Sequence, residues 1–259
     1  MTESTLPLLT LQDLTITLNH VPLVEQVHFS VSAGEILVIV GESGSGKTTL
    51  LKACAGLLES GMEVSSGEIA FSGQKLKKPA DWNPLRGQQL AFLFQNSLAS
   101  FCPVLSIKKQ LWDAARKTGM DYESFLQTAD NRARVLDLPP ESLRAYPQEL
   151  SGGMIQRAGL LFPLINPPRL LLADEPTSSV DSVTQKKMAD ALLRLRRHHK
   201  TAIILVTHDI RLAAYLADSL LILQHGRVQE YGPARQVLTY PASQYTQKLL
   251  YLAGMRKEG

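Results

Sequence analysis

The chain begins with two segments in which apolar residues recur at every second position, Leu9–Leu18 and Val27–Val31. Such alternation predicts strands that bury one face. The pattern changes at Ile36–Val40, where five consecutive apolar residues predict a parallel strand that is covered on both faces. A glycine-rich turn at Gly41–Gly46 and a helix from Lys47 to Gly56 follow, so the N-terminal part of the chain is predicted to combine sheet and helix.

The rest of the chain alternates strands and helices around one long helical stretch. That stretch runs from about Leu98 to Ala158 and is broken by Pro139, Pro140 and Pro147. The other predicted elements are an exposed strand at Gly67–Gly73, buried strands at Arg169–Glu175, Ala202–Thr207 and Leu220–Leu223, helices at Val183–Arg197 and Ile210–Ala217, and, from Gly226, a short strand followed by helical pieces up to Leu252. Because the helical stretch interrupts an α/β pattern, we interpret it as an inserted subdomain. The predicted organisation is an α/β core at about residues 8–95 and 160–225, a helical subdomain at about 96–159 and a C-terminal extension at 226–259.

The amino-acid composition argues against several classes of protein. The 259 residues contain 27 Lys and Arg against 24 Asp and Glu, a net charge of +3 that is small for a dedicated nucleic-acid binder, so no nucleic-acid partner is expected. No apolar run approaches the roughly 20 residues that a membrane span needs, and the N terminus lacks the basic region of a secretory signal. Cys54 and Cys102 are too few for a disulfide framework or a four-cysteine cluster. We therefore expect a cytoplasmic α/β protein.

The turn after the first buried strand carries a phosphate-binding pattern. The segment GESGSGKT, Gly41–Thr48, matches G-x-x-x-x-G-K-[ST] and has the required strand before it and helix after it. Backbone N–H groups and the helix N terminus bind phosphate in such loops, while Lys47 can reach the β- and γ-phosphates and Thr48 can bind Mg²⁺. The alternative, a glycine-rich turn without a ligand, is disfavoured by spacing and context. The candidate nucleotide-binding residues are Gly41, Glu42, Ser43, Gly44, Ser45, Gly46, Lys47, Thr48 and Thr49.

A second chemical feature is the acidic pair at the end of a later buried strand. Asp174 can hold Mg²⁺ and Glu175 can orient or activate an attacking water. Adjacent acids also occur as solvated turns, but an upstream phosphate loop favours the functional interpretation.

Downstream motifs give the chain a family resemblance. The segment LSGGMIQR, Leu150–Arg157, resembles the signature motif of the ABC ATPase family. Gln95 matches the glutamine of that family's Q-loop, His208 its switch histidine, and Ser178–Asp181 its D-loop. Six motifs occur in family order over about residues 8–250, which makes the resemblance specific.

The resemblance implies a fold, a reaction and partners. The fold is α/β, a P-loop NTPase core with an antiparallel β subdomain and an inserted helical subdomain. The implied cofactors are ATP and Mg²⁺, with Glu175, His208 and Gln95 as catalytic residues and Thr48, Gln95 and Asp174 as Mg²⁺ ligands. Ser151, Gly152, Gly153 and Asp181 would complete the ATP site of a second ATPase subunit, either a paralogue or a second copy, in a nucleotide-sandwich dimer. The implied partners are also two transmembrane permease subunits and an extracytoplasmic substrate-binding protein, which would place the chain peripherally on the cytoplasmic face of the cell membrane.

Two details point to a subfamily. Met154 replaces the commoner glutamine of the signature, and the tail YPASQYTQKLL, Tyr240–Leu250, is similar to the ending of peptide and nickel importer ATPases. The expected role is therefore uptake of nickel, metal–chelator complexes or di- and oligopeptides. The tail could instead be an ordinary amphipathic helix after Pro241, and a non-transport ABC ATPase or an exporter ATPase remains the alternative function.

Some residues depart from the family pattern or are not assigned a function. Leu18, Asn19 and His20 occupy the region where the family has an adenine-stacking aromatic residue, and His20 would stack less well. Pro163 predicts a kink in the helix after the signature. The basic run Arg194–Lys200 is interpreted as a helix end stabilised by the macrodipole.

Overall fold

The computed structural model describes residues 6–178 and 180–255. Ser179 of the predicted D-loop and residues 256–259 of the predicted extension lie outside the described residues. The strands are β1 Leu9–Leu18, β2 Val21–Val31, β3 Ile36–Val40, β4 Met62–Phe71, β5 Gln74–Leu76, β6 Leu90–Leu93, β7 Leu170–Asp174, β8 Ala202–Thr207, β9 Ser219–Gln224 and β10 Arg227–Pro233. The helices are α1 Lys47–Cys54, α2 Ile107–Ala115, α3 Tyr122–Val135, α4 Gly152–Ile165, α5 Ser182–His199, α6 Ile210–Leu216, α7 Ala234–Thr239 and α8 Gln244–Leu252.

The chain divides into two compact units. The first is drawn from Met1–Arg86 and Ala202–Gly259, and the second from Gly87–Thr201. The second unit is longer than the predicted helical insertion, since it also contains β6, β7 and α5. Within residues 6–178 and 180–255, no helix combines the length and the apolar character that crossing a bilayer requires.

An antiparallel sheet in the first unit confirms the strands predicted from alternation. Its order is β2-β1-β4-β5, and the alternating apolar side chains from Leu9 to Ile16 and from Val27 to Val31 are buried. Asn19 and His20 form a two-residue hairpin turn between β1 and β2, and both have positive φ, as the tight hairpin turns that match strand twist require. The strand predicted at Gly67–Gly73 begins earlier, at Met62, because the exposed residues before Gly67 also pair with β1.

A second set of strands in the first unit has the order β10-β9-β3-β8. β3 and β8 are parallel and buried along their whole length, as their continuous apolar character predicted, and Val40 at the end of β3 lies opposite Thr207 at the end of β8. The carboxyl ends of β3 and β8 therefore meet at one edge of the sheet.

Helix α1 follows β3 and ends at Cys54, two residues before the predicted Gly56. Side chains from the 3₁₀ segment and the loop that follow β5 close its C-terminal end. The Trp82 indole Nε1 donates to the Cys54 carbonyl at 2.9 Å, and the Arg86 Nε donates to the Ala55 carbonyl at 3.0 Å. These contacts satisfy carbonyls that lack a partner within the helix.

The described part of the second unit contains the parallel strands β6 and β7 and the α-helices α2, α3, α4 and α5. Phe125 of α3 is fully buried and packs against Trp112 of α2, with ring centroids 5.3 Å apart. Helix α4 continues through Pro163 to Ile165. Pro163 lies in the last turn of α4, where the ring removes a single helical hydrogen bond and the helix is about to end.

Candidate functional site

The loop between β3 and α1 has a backbone that only glycine can supply at several positions. A Cβ on Gly41 would lie 2.1 Å from the Leu223 carbonyl oxygen of β9, so any side chain there would collide with backbone. Gly44 and Gly46 have φ of 79° and 97°, the left-handed region that favours glycine. The glycines of the phosphate-loop pattern therefore fix a curled loop against the end of β9.

Lys47, the first residue of α1, turns back over this loop. Its Nζ donates to the Gly41 carbonyl at 2.8 Å and to the Glu42 carbonyl at 2.7 Å, and the residue is only 5% exposed. The hydroxyl of Ser45 is buried without a hydrogen-bond partner. A buried ammonium, an unsatisfied hydroxyl and a helix N terminus in one loop fit the phosphate groups of a nucleotide.

The first unit also brings His208 to this edge of the sheet. His208 follows β8, whose last residue Thr207 lies opposite Val40 of β3, and the phosphate loop begins immediately after Val40. Asp209 caps α6 by accepting from the N–H groups of Arg211 and Leu212, at 2.9 and 3.2 Å. His208, the predicted switch histidine, is therefore exposed and lies between the end of β8 and the N-cap of α6.

The second unit groups three other predicted residues at the ends of parallel strands. Leu93 of β6 lies opposite Ala173 of β7, so Gln95 and the pair Asp174 and Glu175 leave the sheet at the same edge. Asp174 is 3% exposed, which is unusual for a carboxylate and indicates that it has a structural or ligand-binding task.

Glu175 has φ of 43°, a left-handed conformation that is uncommon for residues other than glycine. The side-chain Nε2 of Gln156 on α4 donates to the Glu175 carbonyl at 3.2 Å. Gln156 is buried, and its Oε1 has no hydrogen-bond partner. The signature helix therefore contacts the backbone of the predicted catalytic glutamate directly.

The signature segment forms the start of α4. Ser151 is its N-cap, with Oγ accepting from the Met154 N–H at 3.4 Å, and Ser151 and Gly152 are exposed. A Cβ on Gly152 would meet no atom within 4 Å. Gln95 and Gly152 line one groove of about 590 Å³ in the second unit. The structure thus places Gln95, the glutamine predicted to belong to a Q-loop, beside the start of α4.

Asp181 caps the next helix. Its carboxylate accepts from the N–H groups of Val183 and Thr184, both at 3.0 Å, and from the Thr184 hydroxyl at 2.6 Å. The Thr184 hydroxyl, followed by the backbone N–H groups, holds the pKa of Asp181 below its ordinary value. Within this chain, Asp181 therefore fixes the start of α5.

Two residues that contact the site were not among the predicted ones. Gln156 was part of the quoted signature, but nothing in the sequence indicated its contact with Glu175. Tyr245 was part of the tail similarity, and its hydroxyl accepts a hydrogen bond from the Glu42 N–H of the phosphate loop at 3.2 Å.

His20 lies exposed in the β1–β2 hairpin turn, with its Nδ1 3.8 Å from a carboxylate oxygen of Glu63.

Comparison with known proteins agrees with this geometry. The family model described as "ABC transporter" matches residues 24–178, more than half of the chain. The chain is 34% identical over 250 residues to the metal-staphylopine import system ATP-binding protein CntD of Staphylococcus aureus, with 94% of this chain and 92% of that protein covered. It is 37% identical over 256 residues to the oligopeptide transport ATP-binding protein OppD of Escherichia coli, with 94% and 74% covered.

A solved structure shares the fold. The dimeric post-hydrolysis state of the ATP-binding cassette MJ0796 bound to ADP and Pi superposes with a TM-score of 0.78 at 25% identity, covering 88% of this chain and 99% of that one. The phosphate loop, the parallel strands behind it and the signature helix are thus found in a chain whose sequence matches the family over most of its length. The chain belongs to the ABC transporter family and is an ABC ATPase with the α/β P-loop fold of that family.

Proposed function

We propose that this chain hydrolyses MgATP to power an importer of metal–chelator complexes or small peptides. ATP binding is supported by the phosphate loop, where Lys47 at the start of α1 is buried against the carbonyls of Gly41 and Glu42. The import part is supported by relatives whose names describe metal-staphylopine import and oligopeptide transport.

ATP would bind through its phosphates to the loop at residues 41–49. Lys47 supplies a positive charge, and the N terminus of α1 supplies the positive end of a helix dipole. Thr48, Gln95 and Asp174 offer hydroxyl, amide and carboxylate oxygens, the hard ligands that Mg²⁺ prefers. When bound, Mg²⁺ would neutralise charge on the transferred phosphoryl group.

Hydrolysis would require a base and groups that orient the attacking water. Glu175 is the candidate base, Gln95 the candidate for orienting the water, and His208 the candidate contact to the γ-phosphate. Glu175 has a left-handed backbone, and Gln156 binds its carbonyl. Such a strained and fixed position supports a catalytic role for Glu175.

The second half of each ATP site would come from another ATPase subunit, a paralogue or a second copy. Ser151, Gly152, Gly153 and Asp181 are the candidate residues that face the partner's nucleotide. The open space around Gly152 supports this role, because the chain itself gives no steric reason for a glycine at that position. Closure around ATP would then be a population shift, since only the closed dimer completes both sites.

The chain would work with membrane-embedded permease subunits and an extracytoplasmic substrate-binding protein, on the cytoplasmic face of the cell membrane. The substrate would be a small solute that presents peptide-like groups, either free or bound to a metal such as nickel. This proposal is supported by the two relatives described above, one named for a metal-staphylopine import system and the other for oligopeptide transport.

The test is uptake in a strain that lacks the gene for this chain. Radiolabelled nickel, nickel with an amino-acid-derived chelator, and a tripeptide are supplied separately, and the strain is complemented with the parent, Lys47→Ala or Lys77→Ala. We expect one substrate to be taken up with the parent and with Lys77→Ala, which changes an exposed lysine directly after β5, but not with Lys47→Ala. Equal uptake of all three with and without the parent gene would refute the import assignment.

A further inference from the structure

The C-terminal segment is fixed to the first unit from several directions. The Glu230 carboxylate of β10 accepts from the N–H groups of Ala242 and Ser243, at 2.9 and 3.1 Å. Past the other end of α8, the Nε of Arg211 on α6 donates to the Ala253 carbonyl at 2.9 Å. Hydrogen bonds that do not involve the phosphate loop therefore fix both ends of α8.

Between these ties, one face of α8 is buried and the opposite face is open. Tyr245, Thr246 and Leu250 are 8%, 0% and 1% exposed, whereas Tyr251 is 44% exposed. The buried face places the Tyr245 hydroxyl 3.2 Å from the Glu42 backbone nitrogen, 203 residues away in sequence. Burial raises the pKa of Tyr245, so the phenol keeps its proton at neutral pH and the hydroxyl remains a neutral hydrogen-bonding group.

Lys47 holds the start of the phosphate loop from a second direction. Its ammonium binds the carbonyls of Gly41 and Glu42, and Tyr245 binds the N–H of Glu42. A phosphate group would compete for the charge of Lys47 but not for the N–H of Glu42, because that N–H already donates to the tyrosine. The Tyr245 bond is therefore a hydrogen bond to the start of the loop that nucleotide binding leaves in place.

We infer that Tyr245 is a positioning residue of the nucleotide site, which keeps the start of the phosphate loop in its binding conformation and couples the C-terminal helix to nucleotide occupancy. The inference rests on the proposed nucleotide site at this loop. By thermodynamic linkage, if the docking of α8 strengthens nucleotide binding by a certain free energy, nucleotide binding must stabilise the docked position of α8 by the same free energy.

The test compares two tyrosine-to-phenylalanine variants on the same helix. Tyr245→Phe removes the hydroxyl and keeps the buried ring, and Tyr251→Phe removes a hydroxyl from the exposed face. Binding of a fluorescent, non-hydrolysable ATP analogue to the full chain is measured together with the thermal midpoint of the apo form. We expect Tyr245→Phe to weaken binding by about three- to tenfold, the size of one hydrogen bond, with little change in the midpoint, and Tyr251→Phe to match the parent.

A second readout follows the coupling in the other direction. Hydrogen exchange of α8 amides should slow when the analogue binds the parent, and this protection should shrink in Tyr245→Phe. Parental affinity in Tyr245→Phe would overturn the inference, whether or not its midpoint falls, and so would equal losses in both tyrosine variants. Lys47→Ala separates the two proposals: if it binds the analogue as the parent does, the proposed nucleotide site itself is wrong.

Discussion

The side chain of Gln156 donates a hydrogen bond of 3.2 Å to the backbone carbonyl of Glu175. It joins the second turn of the signature helix α4 to the residue that follows β7. Glu175 is in a left-handed conformation that costs about 1–3 kcal/mol, and such conformations persist only where the surroundings hold them. Gln156 is one of the groups that hold it.

Replacing Gln156 with methionine should therefore slow turnover more than it weakens the fold. The substitution removes the bond to Glu175 and also removes a buried oxygen that has no partner, so the two effects on stability partly cancel. We expect kcat to fall about fivefold, the size of one hydrogen bond of ~1 kcal/mol, with the KM for ATP unchanged. Steady-state ATPase assays on the assembled ATPase pair measure both constants.

The control is Gln127→Met, the same chemical change on the exposed face of α3. It should leave kcat at the parental value. If Gln156→Met keeps the parental kcat while its thermal midpoint drops, Gln156 only packs the helix and does not position Glu175.

Glu175→Gln should keep nucleotide binding and lose hydrolysis. The amide has nearly the shape of the carboxylate but cannot accept a proton, and a general base contributes about 10²- to 10⁴-fold to rate. ATP should then hold the dimer closed, which size-exclusion chromatography with and without ATP would detect. Glu123→Gln on α3 is the matched change outside the site. ATP hydrolysis by Glu175→Gln at the parental rate would remove Glu175 from the catalytic role.

Much of the first unit could be predicted from the sequence because its signals are local. The alternation in β1 and β2, the continuous apolar run of β3 and the glycine–lysine spacing after it each determine structure within a few residues. The start of β4 could not be predicted because the residues from Met62 to Ser66 pair with β1 through backbone groups, while the side chains from Glu63 to Ser66 are exposed. Backbone pairing of an exposed segment leaves no pattern in its side chains.

The contacts that adjust the site could not be predicted, because they join residues that are distant in sequence. The apolar pattern of α8 indicates that one face is buried, but not that Tyr245 meets Glu42 in the phosphate loop. Likewise, the signature motif indicates a helix start at Ser151, but not where the side chain of Gln156 ends. Such pairings depend on how the elements pack, and a single sequence does not contain that information.

The two cysteines should differ sharply in reactivity. Cys54 is fully buried on α1, and burial raises the pKa of its thiol to about 12, whereas Cys102 is exposed. Since the thiolate is the nucleophile, iodoacetamide at pH 8 should modify Cys102 alone in the native protein and both residues in urea. Peptide mass spectrometry distinguishes the two; native modification of Cys54 at a comparable rate would contradict this assignment.

The same burial makes stability depend on alkaline pH. The Cys54 thiol loses its proton near its ordinary pKa of 9.0 in the unfolded chain, but only near about 12 in the folded one. Between these values the folded state binds more protons, so stability falls as pH rises, by about 1.4 kcal/mol per pH unit from this group. Cys54→Ala should be less stable at pH 8 but lose less stability between pH 9 and pH 10.5, as urea unfolding at each pH would show.

Two glycine-to-alanine changes should distinguish Gly41, which the fold requires, from Gly152, which we propose the partner subunit's ATP site requires. A Cβ at Gly41 collides with the Leu223 carbonyl at 2.1 Å, whereas a Cβ at Gly152 meets nothing within 4 Å. Gly41→Ala should therefore lower the thermal midpoint and abolish nucleotide binding. Gly152→Ala should keep or raise the midpoint, because alanine is the better helix former, and keep nucleotide binding by the single chain. It should nevertheless lower the ATPase activity of the assembled pair by at least about tenfold, as expected for a lost phosphate contact in the transition state.

Mixing two variants tests whether the lower ATPase activity of Gly152→Ala arises at the partner subunit's ATP site. If the chain pairs with itself, a dimer of Lys47→Ala and Gly152→Ala subunits contains one site in which both changes meet and one site that carries neither. Each variant alone should be nearly inactive, and the equimolar mixture should regain up to about a quarter of the parental activity, since half of the dimers are mixed and each has one intact site. The mixture of Lys47→Ala with Glu175→Gln is the matched control, because both residues are proposed to serve the nucleotide of their own chain. No recovery in the first mixture would mean that the signature does not serve the partner's nucleotide, and recovery in the control would mean that Lys47 and Glu175 do not serve the same nucleotide.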